Sequence, residues 1–127
     1  MLVISSPLPA IGNEVEIASF GKAKTVQEYV TEYYENVPVM AEIARCESQF
    51  RHYDSDGDII RGKVNNLDVG VMQINEYYHI DTADRLNIDL HTLDGNLEYA
   101  LSLYNREGTQ PWSASKKCWG GNLLALK

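Results

Sequence analysis

The feature that most constrains this chain is an apolar stripe with a carboxylate set into it. Met40, Ile43, Glu47 and Phe50 recur at i, i+3, i+7 and i+10, the spacing of one face of a helix. Glu47 therefore occupies a slot that the pattern reserves for a buried side chain. A carboxyl held among apolar groups resists ionising, and its pKa rises towards the range of a general acid. The competing reading is a glutamate at a fraying helix end, turned out to water.

A second segment bears on that choice. Val69-Gly70-Val71-Met72-Gln73-Ile74-Asn75 is mostly apolar but carries two amides, and Gly70 removes a side chain where something must come close to the backbone. Neutral amides both donate and accept, which suits sugar hydroxyl and N-acetyl groups; Gln73 and Asn75 are the candidates, with Met72 as an apolar floor.

At 127 residues the chain is one domain, large enough for a core and too small for two. The net charge of −7 argues against a nucleic-acid partner, whose electrostatic footprint is a basic patch. No apolar run approaches the roughly 20 residues of a membrane span. Met1 to Ala10 lacks the basic start and apolar core of a secretory signal. Cys46 and Cys118 lie outside any CxxC or Cys/His cluster, so a structural disulfide is the simpler reading and two buried thiols the alternative. A bridge would tie the helix of Glu47 to the C-terminal segment and imply an oxidising, extracytoplasmic compartment: periplasm, cell wall or medium.

Along the chain, residues 1–22 show no sustained period and read as an extended or flexible arm, leaving 23–127 as the folded domain. Thr25 opens a helical pattern carried by Val26, Tyr29, Val30, Tyr33 and Tyr34. Asn36 is placed to cap a second helix, with Pro38 in its first turn and its end near Ser48. Asp54-Ser55-Asp56-Gly57-Asp58 reads as a tight turn of a small hairpin rather than a calcium loop, because an EF-hand wants Gly at its sixth position and Glu at its twelfth, where this chain has Ile59 and Asn65. Thr82 to Asn87 predicts a short helix, beside which Tyr77, Tyr78 and His79 can line a groove. Asp94 to Glu107 predicts a longer one, with Leu97, Ala100, Leu101 and Tyr104 on one face and Gly108 as its stop. Pro111, Trp112 and Trp119 sit in a tail of helical turns. The expected class is α+β, mainly helical.

Glu47-Ser48-x-Phe50 followed by Gly70-Val71-Met72-Gln73-Ile74-Asn75 resembles the lysozyme-like superfamily, most closely the soluble lytic transglycosylase (SLT) branch with its Glu-Ser and Gly-Leu-Met-Gln motifs. The likeness runs over roughly residues 38–119, through Asn96 and the helix after it. It implies a lysozyme-like fold with a small hairpin beside a substrate groove. The implied activity is cleavage of the β-1,4 bond between N-acetylmuramic acid and N-acetylglucosamine in peptidoglycan, by a monomer without metal or organic cofactor.

In such enzymes one glutamate protonates the leaving oxygen, and the resemblance puts Glu47 in that role. Lytic transglycosylases then let the muramic acid's own 6-hydroxyl attack, giving a 1,6-anhydro end. Asp68, two residues before Gly70, also matches the catalytic Asp of hen-type lysozymes, which keeps a hydrolytic muramidase open; a polar turn with Asn65 and Asn66 is the other reading of Asp68. Tyr104-Asn105 resembles the Tyr-Asn of the third SLT motif, whose tyrosine orients the acid, although the chain continues Arg106-Glu107-Gly108 where the family writes Ala-Gly. Ser48, Gly70, Met72, Gln73, Asn75, Tyr78, Asn96 and Trp112 complete the expected substrate contacts. Ser48 can equally cap the helix, and Trp112 and Trp119 can equally be buried anchors of the tail. A glycan-binding or assembly module without turnover is the reading from another class.

Overall fold

The computed structural model describes residues 14–15 and 23–122. Most of the expected N-terminal arm and residues 123–127 lie outside the described residues. Strand β1, Glu14–Val15, pairs antiparallel with β2, Lys24–Thr25. Helix α1, Val26–Tyr33, follows at once. Thr25 caps it through a reciprocal box: its hydroxyl accepts from Glu28 N–H, and the Glu28 carboxylate accepts from Thr25 N–H. Its tyrosines divide as core and rim. Tyr34 is fully buried with its hydroxyl donating to the Leu97 carbonyl at 2.7 Å, whereas Tyr33 is exposed.

Helix α2, Pro38–Ser48, begins with Pro38 as its first residue, where the missing N–H is harmless. The cap position falls on Val37, which offers no side-chain bond, so Asn36 is not the cap. The helix stops because Gln49 and Phe50 both take left-handed backbone, φ 57° and 59°. Met40 and Ile43 are fully buried.

Residues 52–75 form a small antiparallel layer. Tyr53 bridges Ile59 across the acidic turn, Arg61 bridges Val69, and β3, Asp68–Val69, pairs with β4, Ile74–Asn75. The longest ladder therefore lies at the amide strip rather than around residues 54–58. The acidic turn is closed by Asp54, whose carboxylate accepts the N–H groups of Asp56 and Asp58 at 2.9 and 3.0 Å.

Helix α3 spans Glu76–Arg85, six residues earlier than the pattern predicted at its start. The signal was Asn75, whose side-chain oxygen accepts from Tyr78 N–H as an N-cap. Helix α4, Leu93–Glu107, is capped by Thr92 and stopped by Gly108 at φ 65°. Leu93, Leu97, Ala100 and Leu103 are its buried face, while Leu101 and Tyr104 sit at the margin. A 3-10 helix, Gln110–Ser115, and α5, Lys116–Asn122, close the described chain.

Cys46 and Cys118 form a disulfide with their Cα atoms 5.9 Å apart. It joins α2 to α5 across 72 residues of sequence, a closure that contributes roughly 4 kcal/mol in the chain-entropy model. The architecture is mainly helical with small antiparallel ladders, an α+β arrangement. No helix among the described residues is long and apolar enough to cross a membrane.

Candidate active site

Glu47 is the penultimate residue of α2, half-buried, two positions before the left-handed stop at Gln49. Ser48 beside it is 3 % exposed and faces its own helix: its hydroxyl donates to the Ala44 carbonyl at 3.1 Å and accepts from Arg51 N–H at 3.2 Å. Buried, and with its one proton spent there, Ser48 fastens the helix end and is not among the residues lining the cleft beside Glu47.

The amide strip is held from behind by Asn96. Its Oδ1 accepts from Met72 N–H at 2.9 Å, and its Nδ2 donates to the carbonyls of Val69 and Leu90 at 3.1 and 3.0 Å. The residue is fully buried, so it too is a scaffold rather than a substrate contact. Gly70 serves the same packing. At φ 78°, a Cβ here would lie 2.4 Å from Asn96 Nδ2 and 2.7 Å from His52 Cε1, so the close approach seen in the sequence is to these side chains. His52 accepts from Val71 N–H at Nδ1 and therefore carries its proton on Nε2, donated to the His91 carbonyl at 2.8 Å. Burial pushes the His52 pKa down, which keeps the ring neutral.

Met72 is fully buried, with its carbonyl accepting from Trp112 Nε1 at 2.9 Å. Trp112, 3 % exposed, is packed into the wall but still lines the cleft. Met72 is an anchor behind that wall and is not among its lining residues.

What remains open to solvent is a cleft of about 320 Å³. Glu47, Asp68, Gln73, Ile74, Asn75, Tyr78 and His79 line it, and Leu103, Glu107, Pro111, Trp112 and Ala114 complete its far side. The structure thus brings Glu47, Asp68 and the two amides to one cavity. Asn75 Nδ2 donates to Asp68 Oδ1 at 3.1 Å across the ladder, which fixes that carboxylate. Tyr78 is exposed at the rim. Tyr104 is not among the lining residues: Leu103 and Glu107, one turn apart, take the cleft face of α4, and a step of one residue rotates Tyr104 by about 100° away.

The Glu47 pKa lies above the ordinary glutamate value of 4.5. Burial is the largest cause, and the negative charge of Asp68 adds to it; a hydrogen bond from Ser115 opposes both. That bond, Ser115 Oγ donating to Glu47 Oε2 at 2.5 Å, spans 68 residues of sequence and carries no sequence signal, because Ser115 belongs to no periodic pattern. His79, bonded through Nδ1 to the Tyr99 hydroxyl at 2.9 Å, has its pKa lowered chiefly by burial. The lining residues include three carboxylates and neither lysine nor arginine.

The arrangement offers one half-buried carboxyl, one fixed carboxylate and two neutral amides around a single open cleft. Comparison of the chain with protein-family models, with curated proteins and with solved structures finds no match.

Proposed function

We propose that this chain cleaves the glycan of peptidoglycan as a lytic transglycosylase, with Glu47 as the acid and base. The observation that carries the reading is a half-buried carboxyl with a raised pKa facing amides in one cleft. A protonated Glu47 gives its proton to the bridging oxygen as the C1–O bond breaks and positive charge gathers at the ring oxygen and C1. The resulting carboxylate then takes the proton of the muramic acid's 6-hydroxyl, whose oxygen bonds to C1 and closes the 1,6-anhydro ring. Gln73 and Asn75 hold hydroxyl or N-acetyl groups, and Tyr78 offers an exposed ring at the rim. The disulfide supports an extracytoplasmic place of work, where that polymer lies.

A hydrolytic muramidase is the second reading, favoured by one observation: Asp68 lines the same cleft, fixed by Asn75. Digestion of purified peptidoglycan followed by mass spectrometry separates the two, with Glu47→Gln as control. Fragments one water lighter than hydrolytic muropeptides are expected. Reducing ends instead mean a lysozyme, and no fragments across the pH range refute both.

A further inference from the structure

Ser115 has one hydroxyl proton and two acceptors within reach. Glu47 Oε2 stands at 2.5 Å and the Trp112 carbonyl at 3.2 Å, so the proton goes to the nearer, charged partner. From behind, the Trp119 indole N–H lies 3.1 Å from Ser115 Oγ and 3.1 Å from the Trp112 carbonyl, satisfying the carbonyl and orienting the hydroxyl. Trp119 is 2 % exposed, and Cys118 next to it is bridged to Cys46 next to Glu47. The donor and the acceptor of the 2.5 Å bond are therefore braced by one covalent link.

Among the described residues, Glu47 Oε1 has no hydrogen-bond partner, and no buried side-chain oxygen lacks one, so Oε1 is open to the cleft. We propose that Ser115 is a positioning residue that engages Oε2 as an acceptor and thereby assigns the transferable proton to Oε1, the oxygen facing substrate. This rests on the reading of Glu47 as acid and base.

The proton balance follows from the geometry. In the acid form Oε1 carries the proton and Oε2 accepts from Ser115; after transfer to the leaving oxygen, the carboxylate keeps the same bond. Ser115 need not move between the two states, and the carboxyl plane stays fixed for the return step. Without the hydroxyl, the proton distributes over both oxygens and the carboxyl rotates. The bond is also stronger to the ionised group than to the neutral one, so its loss moves the Glu47 pKa further up.

The test compares wild type with Ser115→Ala, Ser115→Thr and Trp119→Phe. Carbon-13 NMR of the Glu47 carboxyl reads the titration without any substrate, and peptidoglycan turnover gives kcat and its pH profile. For Ser115→Ala, the Glu47 titration and the alkaline limb of the profile both move to higher pH, and kcat falls on the order of tenfold, the worth of about 1.4 kcal/mol of lost hydrogen bonding. Ser115→Thr, which keeps the hydroxyl, restores the wild-type titration, and Trp119→Phe shifts it in the alanine direction by less. An unchanged titration in Ser115→Ala overturns the proposal, as does a threonine variant that behaves like alanine. If Ser115→Ala does not fold, Trp119→Phe decides: a titration equal to wild type overturns it. A shifted titration in a protein that cuts no glycan would sink the functional reading and leave the Ser115–Glu47 coupling standing.

Discussion

Replacing Asn96 with alanine removes three hydrogen bonds that fasten the cleft's inner wall. The side chain is fully buried, so the Met72 N–H and the Val69 and Leu90 carbonyls lose their partner where water does not reach. An orphaned buried group costs about 1–3 kcal/mol. The Met72 N–H bears that in full; the carbonyls, each with a second lone pair, bear less. The sum is about 4 kcal/mol, a large part of the 5–15 kcal/mol that holds a domain of this size together. With a urea slope near 2 kcal/mol/M, the unfolding midpoint falls by about 2 M.

Asn96→Asp sharpens the test. Its carboxylate still accepts from Met72 but faces two carbonyls, so its pKa in the folded state lies above the unfolded value of about 3.9. A raised folded pKa gives stability that is present below the unfolded value and lost as pH rises through the folded one. The aspartate variant is therefore closer to wild type at pH near 4 than at pH near 7. Urea titrations at both values, followed by circular dichroism, read the effect. An alanine variant within about 0.5 M of wild type, with an unchanged slope, would refute the assignment of Asn96 as the strip's fastening.

Gly70→Ala brings a methyl against Asn96 and His52 at positive φ, and destabilises by about 2–4 kcal/mol; combining it with Asn96→Ala costs less than the sum, because one clash disappears, as a double-mutant cycle in urea will show. Glu47→Gln abolishes cleavage yet is more stable than wild type at pH 7. The raised Glu47 pKa means that its stabilising contribution is lost as pH rises above the ordinary 4.5, so thermal melts of the two proteins converge towards acid and diverge above it. Asp68→Asn removes a charge that raises the Glu47 pKa, so the alkaline limb of the pH profile moves to lower pH; transglycosylation itself persists, and near-complete loss would make Asp68 catalytic. Reducing the disulfide costs roughly 4 kcal/mol, visible as a lowered melting temperature in dithiothreitol.

The parts legible in the sequence are those written in short-range pattern. Thr25 and Pro38 at helix starts and Gly108 at a helix stop each act within a few residues, and each stands where its chemistry predicts. The stripe placed Glu47 against the core, and the cysteine pair bridged α2 to the tail. Illegible were the roles that depend on which atom faces which across the fold. Gly70, Met72 and Asn96 share the neighbourhood of the cleft, but their polar atoms and packing are committed to one another, and Ser48 is committed to its own helix end. Asn96 looks like any helix-borne amide until the backbone it fastens is in view. Tyr104 missed the cleft by a single helical step, a phase that a motif match does not resolve when the apolar face of α4 is broad. Ser115 could be found only by knowing that the tail folds back onto the end of α2.

That return of the tail makes the acid's surroundings a joint product of two distant segments. Until residues 111–119 pack onto the end of α2, the carboxylate at position 47 lacks both its far wall and its hydrogen-bond donor. Residues 111–115 wall it in and supply its hydrogen bond, Trp119 backs that bond, and Cys118 locks the segment down. The perturbed acid is thus a property of the oxidised fold, assembled from two segments that lie 68 residues apart in the sequence.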